Sequence, residues 1–264
     1  MKTVLSLYDY TGEAVRPWAE AGYKCYCFDI QHRYWQYGVE SEKVGKLGGE
    51  INYIKADLHD QEHLDEIAQD FGAEVAFISC YPVCTDMAIS GAAHFARKKA
   101  QSEHFQDEAV HYAVMCADFA EKFNCPYYIE NPVSVLATMW RKPDYYFHPF
   151  EYGGYIPKDE AIHPKWPDYI APRDGYSKKT CLWTNELFTM PEKDAVECDS
   201  FGSSTQHRKL GGKSMKTKNI RSATPRGFAR AVFEANCHED VDVEPFDEYQ
   251  VDPAEYRGAD YGDD

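Results

Sequence analysis

Short apolar runs alternate with amphipathic stretches along the first half of the chain. Residues 3–8, 24–28, 51–55, 75–79 and 127–129 are apolar or aromatic runs of strand length. Between them, residues 13–21, 60–71 and 100–123 repeat apolar positions at the helical period, with Gly22 placed to end the first. This alternation predicts an α/β fold built on a mostly parallel sheet. Right-handed crossovers then bring the loops 9–13, 29–32, 57–59, 80–86 and 130–134 to one rim. After Pro132 the pattern changes. Residues 140–176 are rich in Pro, Gly, Tyr, Trp and His with little helical period, which suggests a substrate-facing insertion reaching to residue 226. A further strand is expected at 179–183 and a loop or edge strand at 184–191. A helix follows over 224–236, capped by Thr224 with Pro225 at its first helical position.

Composition adds boundaries to this picture. The 264 residues carry a net charge of -16 and are 44% hydrophobic, enough for one large domain with a real core. Residues 239–264 hold 11 acids and one Arg, and we expect a disordered acidic tail there, leaving 1–238 as the folded domain. Residues 201–226 hold seven Lys or Arg and no acid, a local basic segment able to meet a phosphate backbone or to remain a solvated loop. No apolar stretch reaches the ~20 residues of a membrane span, and the opening MKTVLSLYDY is too short an apolar run for a signal peptide. Nine cysteines without a paired CxxC motif fit a reduced, cytoplasmic protein. There is no HExxH and no His/Cys quartet, so no metal is expected.

Two segments carry the candidate chemistry. ISCYPVCTD ends a strand in a proline turn bearing Cys84, with Cys80 competing for the same role; YYIENPVS ends another bearing Glu130 and Asn131. A thiol becomes a nucleophile where donors or positive charge favour the thiolate. A carboxylate leaving an apolar strand needs a partner or a function, and Glu130 could equally be a buried loop cap. Asp9, Thr11 and Gly12 follow the first strand, where glycine permits close approach of a ligand to the backbone. Asp29, after the second strand, is placed to accept from ribose hydroxyls, and Asp57, after the third, to bind an adenine amino group; Asp9 and Asp57 could alternatively cap turns. The dinucleotide pattern GxGxxG and the phosphate loop are both missing, so a nucleoside cofactor without a phosphate chain, such as S-adenosylmethionine, suits these acids better.

The segments SLYDYTGEAVRPWAEAGYKCYCFDIQ, CYPVCTDMAISGAAHF, YYIENPVSVL, SKKTCLW and RSATPRGFARAVFEAN, in that order, resemble the S-adenosylmethionine-dependent DNA cytosine-5 methyltransferases, particularly the short phage and prophage members. The resemblance implies a Rossmann-like class I methyltransferase fold and methyl transfer to C5 of cytosine, with double-stranded DNA as partner in a bacterial or phage-infected cell. It implies Cys84 as nucleophile and Glu130 as the glutamate that holds the base. It also implies a cofactor site at Asp9, Thr11, Gly12, Asp29, Asp57 and Pro82. Asn131, Lys178, Lys179, Arg221 and Arg226 would contact substrate. Val83 stands between Pro82 and Cys84 where the family has proline directly before cysteine, and the Gln-x-Arg-x-Arg motif is missing. Two other readings remain open: methylation of a free cytosine nucleotide or of RNA, and a DNA-binding or decoy protein that retains the fold without activity.

Overall fold

The computed structural model of the chain describes residues 2–35, 40–199, 209–210 and 214–237. The acidic tail and most of residues 201–213 of the basic segment lie outside the described residues. The parallel core of the sheet is β1 (Thr3–Leu7), β2 (Lys24–Phe28), β4 (Gly49–Ile54), β5 (Val75–Cys80) and β6 (Tyr127–Pro132). These strands lie side by side in the order β4-β2-β1-β5-β6. Taken in chain order this is the 3-2-1-4-5 run of a doubly wound, Rossmann-like sheet. β1 is buried along its whole length, as a strand covered on both faces must be. All five carboxyl ends share one rim, and the strand order reverses on either side of β1.

Three strands extend this core. β3 (Glu40–Val44) pairs antiparallel with β4 at one edge; β8 (Thr180–Thr184) pairs antiparallel with β6, and β7 (Tyr145–Phe147) with β8. The place next to β6 is thus taken by a reversed strand. Neither β3 nor β7 was legible as a strand. β3 reads ESEKV, is mostly exposed, and is held by its partner and by the ion pairs Lys43–Glu50 and Arg16–Glu42, both 3.0 Å. β7 is three residues long, too short to show a period.

Helices cover both faces. α2 (Gln61–Phe71) and α4 (Phe105–Ala120) bury Leu64, Ile67, Ala113 and Cys116 against one side. α1 (Arg16–Glu20) and the last helix, α7 (Arg226–Asn236), bury Trp18, Phe228 and Val232 against the other. Trp18 meets Phe233 edge-on at 5.1 Å, so α1 and α7 form one layer from distant parts of the chain.

The helix expected over 100–123 is two helices. α3 (Phe95–Gln101) buries no residue, whereas α4 buries eight, and Ser102 between them is extended. With no apolar face of its own, α3 has nothing to keep it in line with α4. A four-residue α5 (Leu136–Met139) follows β6, and α6 (Met215–Ser222) precedes α7. Pro225 sits at the N-cap of α7 with ψ 129, one position before the place predicted for it. Residues 149–176 contain three short 3-10 turns, yet Tyr152, Ile156 and Tyr176 are fully buried. Tyr152 packs on Phe147 and Phe228, so this region belongs to the main core and is no separate lobe.

Candidate active site

The first loop of the rim is organised by Asp9. Its Oδ1 accepts from the Thr11 and Gly12 amides (2.9 and 2.8 Å) and from Thr11 Oγ1 (3.2 Å), while Oδ2 accepts from Ser6 Oγ (2.9 Å). This carboxylate is spent inside the protein and holds the loop rather than a ligand. Gly12 is needed for the same structural reason. Its φ is +69°, and a Cβ there would stand 2.6 Å from the Tyr53 hydroxyl, so the space beside it is filled by protein and not kept for a cofactor. Tyr8, just before Asp9, also lies in the left-handed region at φ 59°, where its hydroxyl donates to Leu58 O (2.8 Å). Strain of this kind gathers at functional loops.

The acids at the next two strand ends differ. Asp29 is buried, its pKa raised chiefly by that burial, and its carboxylate accepts from the Gln31 amide at 2.8 Å. It keeps acceptor capacity for a ligand hydroxyl. Asp57 accepts from the His59 amide (3.1 Å), a turn-forming bond that leaves it half-exposed with one oxygen committed. The donor set therefore fits a nucleoside cofactor at Asp29 and Asp57, with Asp9 and Gly12 shaping the loop between. Lys165, unsuspected from sequence, closes over this loop. Its Nζ donates to Thr11 O (3.2 Å) and stands 2.8 Å from the buried Glu13 Oε1, out of line for a hydrogen bond. With Tyr10, His32 and Trp166 it lines an open cleft of about 430 Å³. A contact between residues 13 and 165 leaves no local signal in a sequence.

Cys84 and Glu130 are brought together by their loops. Asn131 Nδ2 donates to Pro82 O (3.0 Å), the Ile89 amide to Val133 O (3.0 Å) and the Val135 amide to Met87 O (3.1 Å). Cys84 O accepts from the Met87 and Ala88 amides (3.0 and 2.9 Å), which shapes the turn carrying the thiol. Asn131 and Pro82 thus join the two loops into one plate, while Asn131 Oδ1 is buried without a hydrogen bond and keeps acceptor capacity. Cys80 is fully buried, with its thiol pKa pushed far up by burial and by Cys116, whereas Cys84 is partly exposed. Cys84 is the more accessible of the two thiols.

Burial is the dominant influence on both reactive groups. It raises the Glu130 pKa, with the nearby Lys178 ammonium opposing it. The Cys84 thiol is raised by burial first and the Glu130 carboxylate second, and is lowered by Lys178. Lys178 Nζ lies 4.0 Å from Glu130 Oε1 and donates to Arg221 O (3.1 Å). Glu130 Oε1 itself is buried without a hydrogen bond. A carboxyl in this setting holds its proton to higher pH than a free one and can donate it. The small cavity beside it is walled by Tyr81, Tyr128, Lys178, Thr224 and Phe228 and has room for about one water-sized sphere (≈ 10 Å³). The hydroxyls of Tyr81 and Tyr128 bond to each other in its wall.

The remaining cations depart from expectation. Lys178 and Lys179, just before β8, diverge: Lys178 lies beside Glu130, and Lys179 lies over the Tyr146 ring at 4.6 Å. The Arg221 guanidinium donates to Leu210 O. Arg226 donates to Glu160 O and Ala161 O (3.0 and 3.2 Å), with Nε buried. Both arginines hold backbone in place rather than facing a substrate. Trp140 and Trp166, at the two tryptophan positions of the aromatic-rich region, are half-buried and stacked on Trp183 and His163.

Among the described residues no group of three or more His, Cys, Asp or Glu is placed to hold a metal ion, and no helix is long and apolar enough to cross a membrane. No family model matches the chain, and no curated protein matches it. One solved structure it is similar to is a doubly substituted short-chain dehydrogenase/reductase from Serratia marcescens, with TM-score 0.30 and 16% identity over 46% of this chain and 51% of that one. The match thus spans about half the length of that structure.

Proposed function

We propose that the protein transfers a methyl group from S-adenosylmethionine to C5 of cytosine in DNA, through a covalent bond to Cys84. The observation that carries the reading is the pairing, on one bonded plate at the sheet rim, of a partly exposed thiol with a mostly buried carboxyl of raised pKa. Two features favour this cofactor over a dinucleotide: the missing GxGxxG, and the reversed β8 where a dinucleotide sheet continues parallel. Asp29 and Asp57 would hold its nucleoside.

The residues divide the work as follows. Protonated Glu130 would donate to N3 of the base, drawing electrons from the ring. Loss of negative charge at Glu130 removes one of the influences that raise the Cys84 pKa and leaves Lys178 to favour the thiolate, so the acid and the nucleophile reach their working states together. Cys84 Sγ would then bond to C6, and the C5–C6 π electrons would move to C5. Bound S-adenosylmethionine would supply an electrophilic methyl group there. Loss of the C5 proton to a water molecule from solvent would restore the C5–C6 double bond and expel Sγ as thiolate, and the N3 proton would return to Glu130. In a duplex the base must first leave the stack, and the Glu130 cavity must widen to accept it.

A test uses labelled S-adenosylmethionine with duplex DNA containing 5-fluorocytosine, whose fluorine cannot depart as the ring proton does. We expect a protein–DNA adduct mapping to Cys84, lost in Cys84→Ala and retained in Cys80→Ala. Normal turnover by Cys84→Ala would refute the assignment. Parallel arms with single-stranded DNA, RNA and dCMP decide the acceptor. The one-water cavity favours a second reading, a binding protein with a degenerate site; cofactor binding with no transfer to any acceptor would support it.

A further inference from the structure

The four cations expected to contact substrate are engaged within the protein: Lys178 and Lys179 lie beside Glu130 and Tyr146, and Arg221 and Arg226 donate to backbone carbonyls. Next to Cys84 the structure offers others. Residues 87–102 contain Arg97, Lys98, Lys99 and His94 but no acid. They include α3, which buries no residue. Lys98 ties α3 to the nucleophile's loop by pairing with Asp86 and donating to Thr85 O (3.3 Å). Arg97 and Lys99 are exposed and have no ion pair or hydrogen bond among the described residues.

Successive helical residues turn by about 100°, so Arg97 and Lys99 stand on opposite flanks of the tethered Lys98. The side facing away from the loop carries Ala96 and Ala100, both exposed, so nothing bulkier than a methyl group obstructs approach there. A major groove about 12 Å wide admits a helix, and its two phosphate strands would meet one cation on each flank. Glu103 lies between α3 and α4, Glu108 is in the first turn of α4, and Asp107 there is paired with His104 (2.7 Å).

We propose that α3 is the duplex-DNA backbone contact of this protein, with Arg97 and Lys99 as its phosphate ligands and the Lys98–Asp86 pair linking it to the Cys84 turn. This rests on DNA being the substrate of the proposed reaction, and it names a surface that reading leaves unassigned.

The experiment measures anisotropy of a labelled duplex with the full chain in a Cys84→Ala background, between about 50 and 200 mM salt. Each phosphate contact contributes about 0.9 to the salt slope. Arg97→Ala/Lys99→Ala should therefore lower the slope by about 1.8 and weaken binding on the order of 30-fold at about 0.15 M salt. Arg97→Lys/Lys99→Arg should keep the slope. Cofactor binding and thermal melting should match the parent in both. An unchanged slope overturns the proposal, as does an equal loss in a Lys142→Ala/Lys158→Ala control, or a parent that binds RNA but no duplex. Duplex binding through α3 without methyl transfer would leave this inference standing and remove the reaction; transfer to duplex unaffected by the α3 variant would do the reverse.

Discussion

Replacing Glu130 with glutamine separates catalytic from structural roles in one variant. At 4.0 Å, a full ion pair with Lys178 would be worth about 4 kcal/mol at an effective dielectric of about 20. Taking a carboxylate out of water costs several kcal/mol, and here burial outweighs the lysine, since the net displacement of the Glu130 pKa is upward. The unfolded chain therefore ionises this group at lower pH than the folded protein does. Ionisation consequently costs stability once pH rises above the ordinary value of 4.5, and the cost is complete above the raised value. Glu130→Gln removes that cost at pH 8 and changes little below pH 4.5. We expect its melting temperature at pH 8 to equal or exceed that of the wild type, at about 2–4 °C per kcal/mol for a protein of this size. Single-turnover methyl transfer at saturating cofactor should fall by about 10²–10³, the loss of one preorganised donor. Turnover within about threefold of wild type would refute the proton-donor role on that scale. A variant less stable than wild type at pH 8 but not in acid would show that the ion pair, and not burial, governs the site.

Two further substitutions test the scaffold. Gly12→Ala should lose about 1–2 kcal/mol for its left-handed backbone and more for the Tyr53 clash; Tyr53→Phe should restore the hydroxyl's share in the double variant, as measured by urea unfolding. Wild-type stability of Gly12→Ala would contradict the filled space. Asn131→Ala, which cuts the bond to Pro82, should lower stability by about 1–3 kcal/mol and slow transfer while cofactor affinity, followed by calorimetry, stays constant. A loss confined to cofactor affinity would return Asn131 and Pro82 to a ligand-binding role.

The central strands were readable because a largely buried strand demands a mostly apolar run, and 3–8, 24–28 and 75–79 supply them. The loops of Cys84 and Glu130 were readable for the same reason, since each begins where such a run stops at a proline. What escaped was pairing at a distance. β3 exists through its partner, Lys165 reaches Thr11 across the fold, and Asn131 finds a carbonyl on another loop. The basic residues mislead in a specific way. A lysine or arginine is the same letter whether it meets phosphate or a backbone carbonyl, and Arg221 and Arg226 chose carbonyls.

The layer shared by α1 and α7 has a consequence for how the protein is made. Trp18 and Phe147 lie under a cover completed by Phe228 and Phe233. During synthesis the residues of α1 leave the ribosome some 200 residues before those of α7, a lag on the order of 10–40 s at about 5–20 residues per second. Until α7 arrives, that face of the growing sheet has α1 alone as its helical cover, whereas the other can be closed by α2 and α4 once residue 120 is made. The final helix is then the latch that completes the cover.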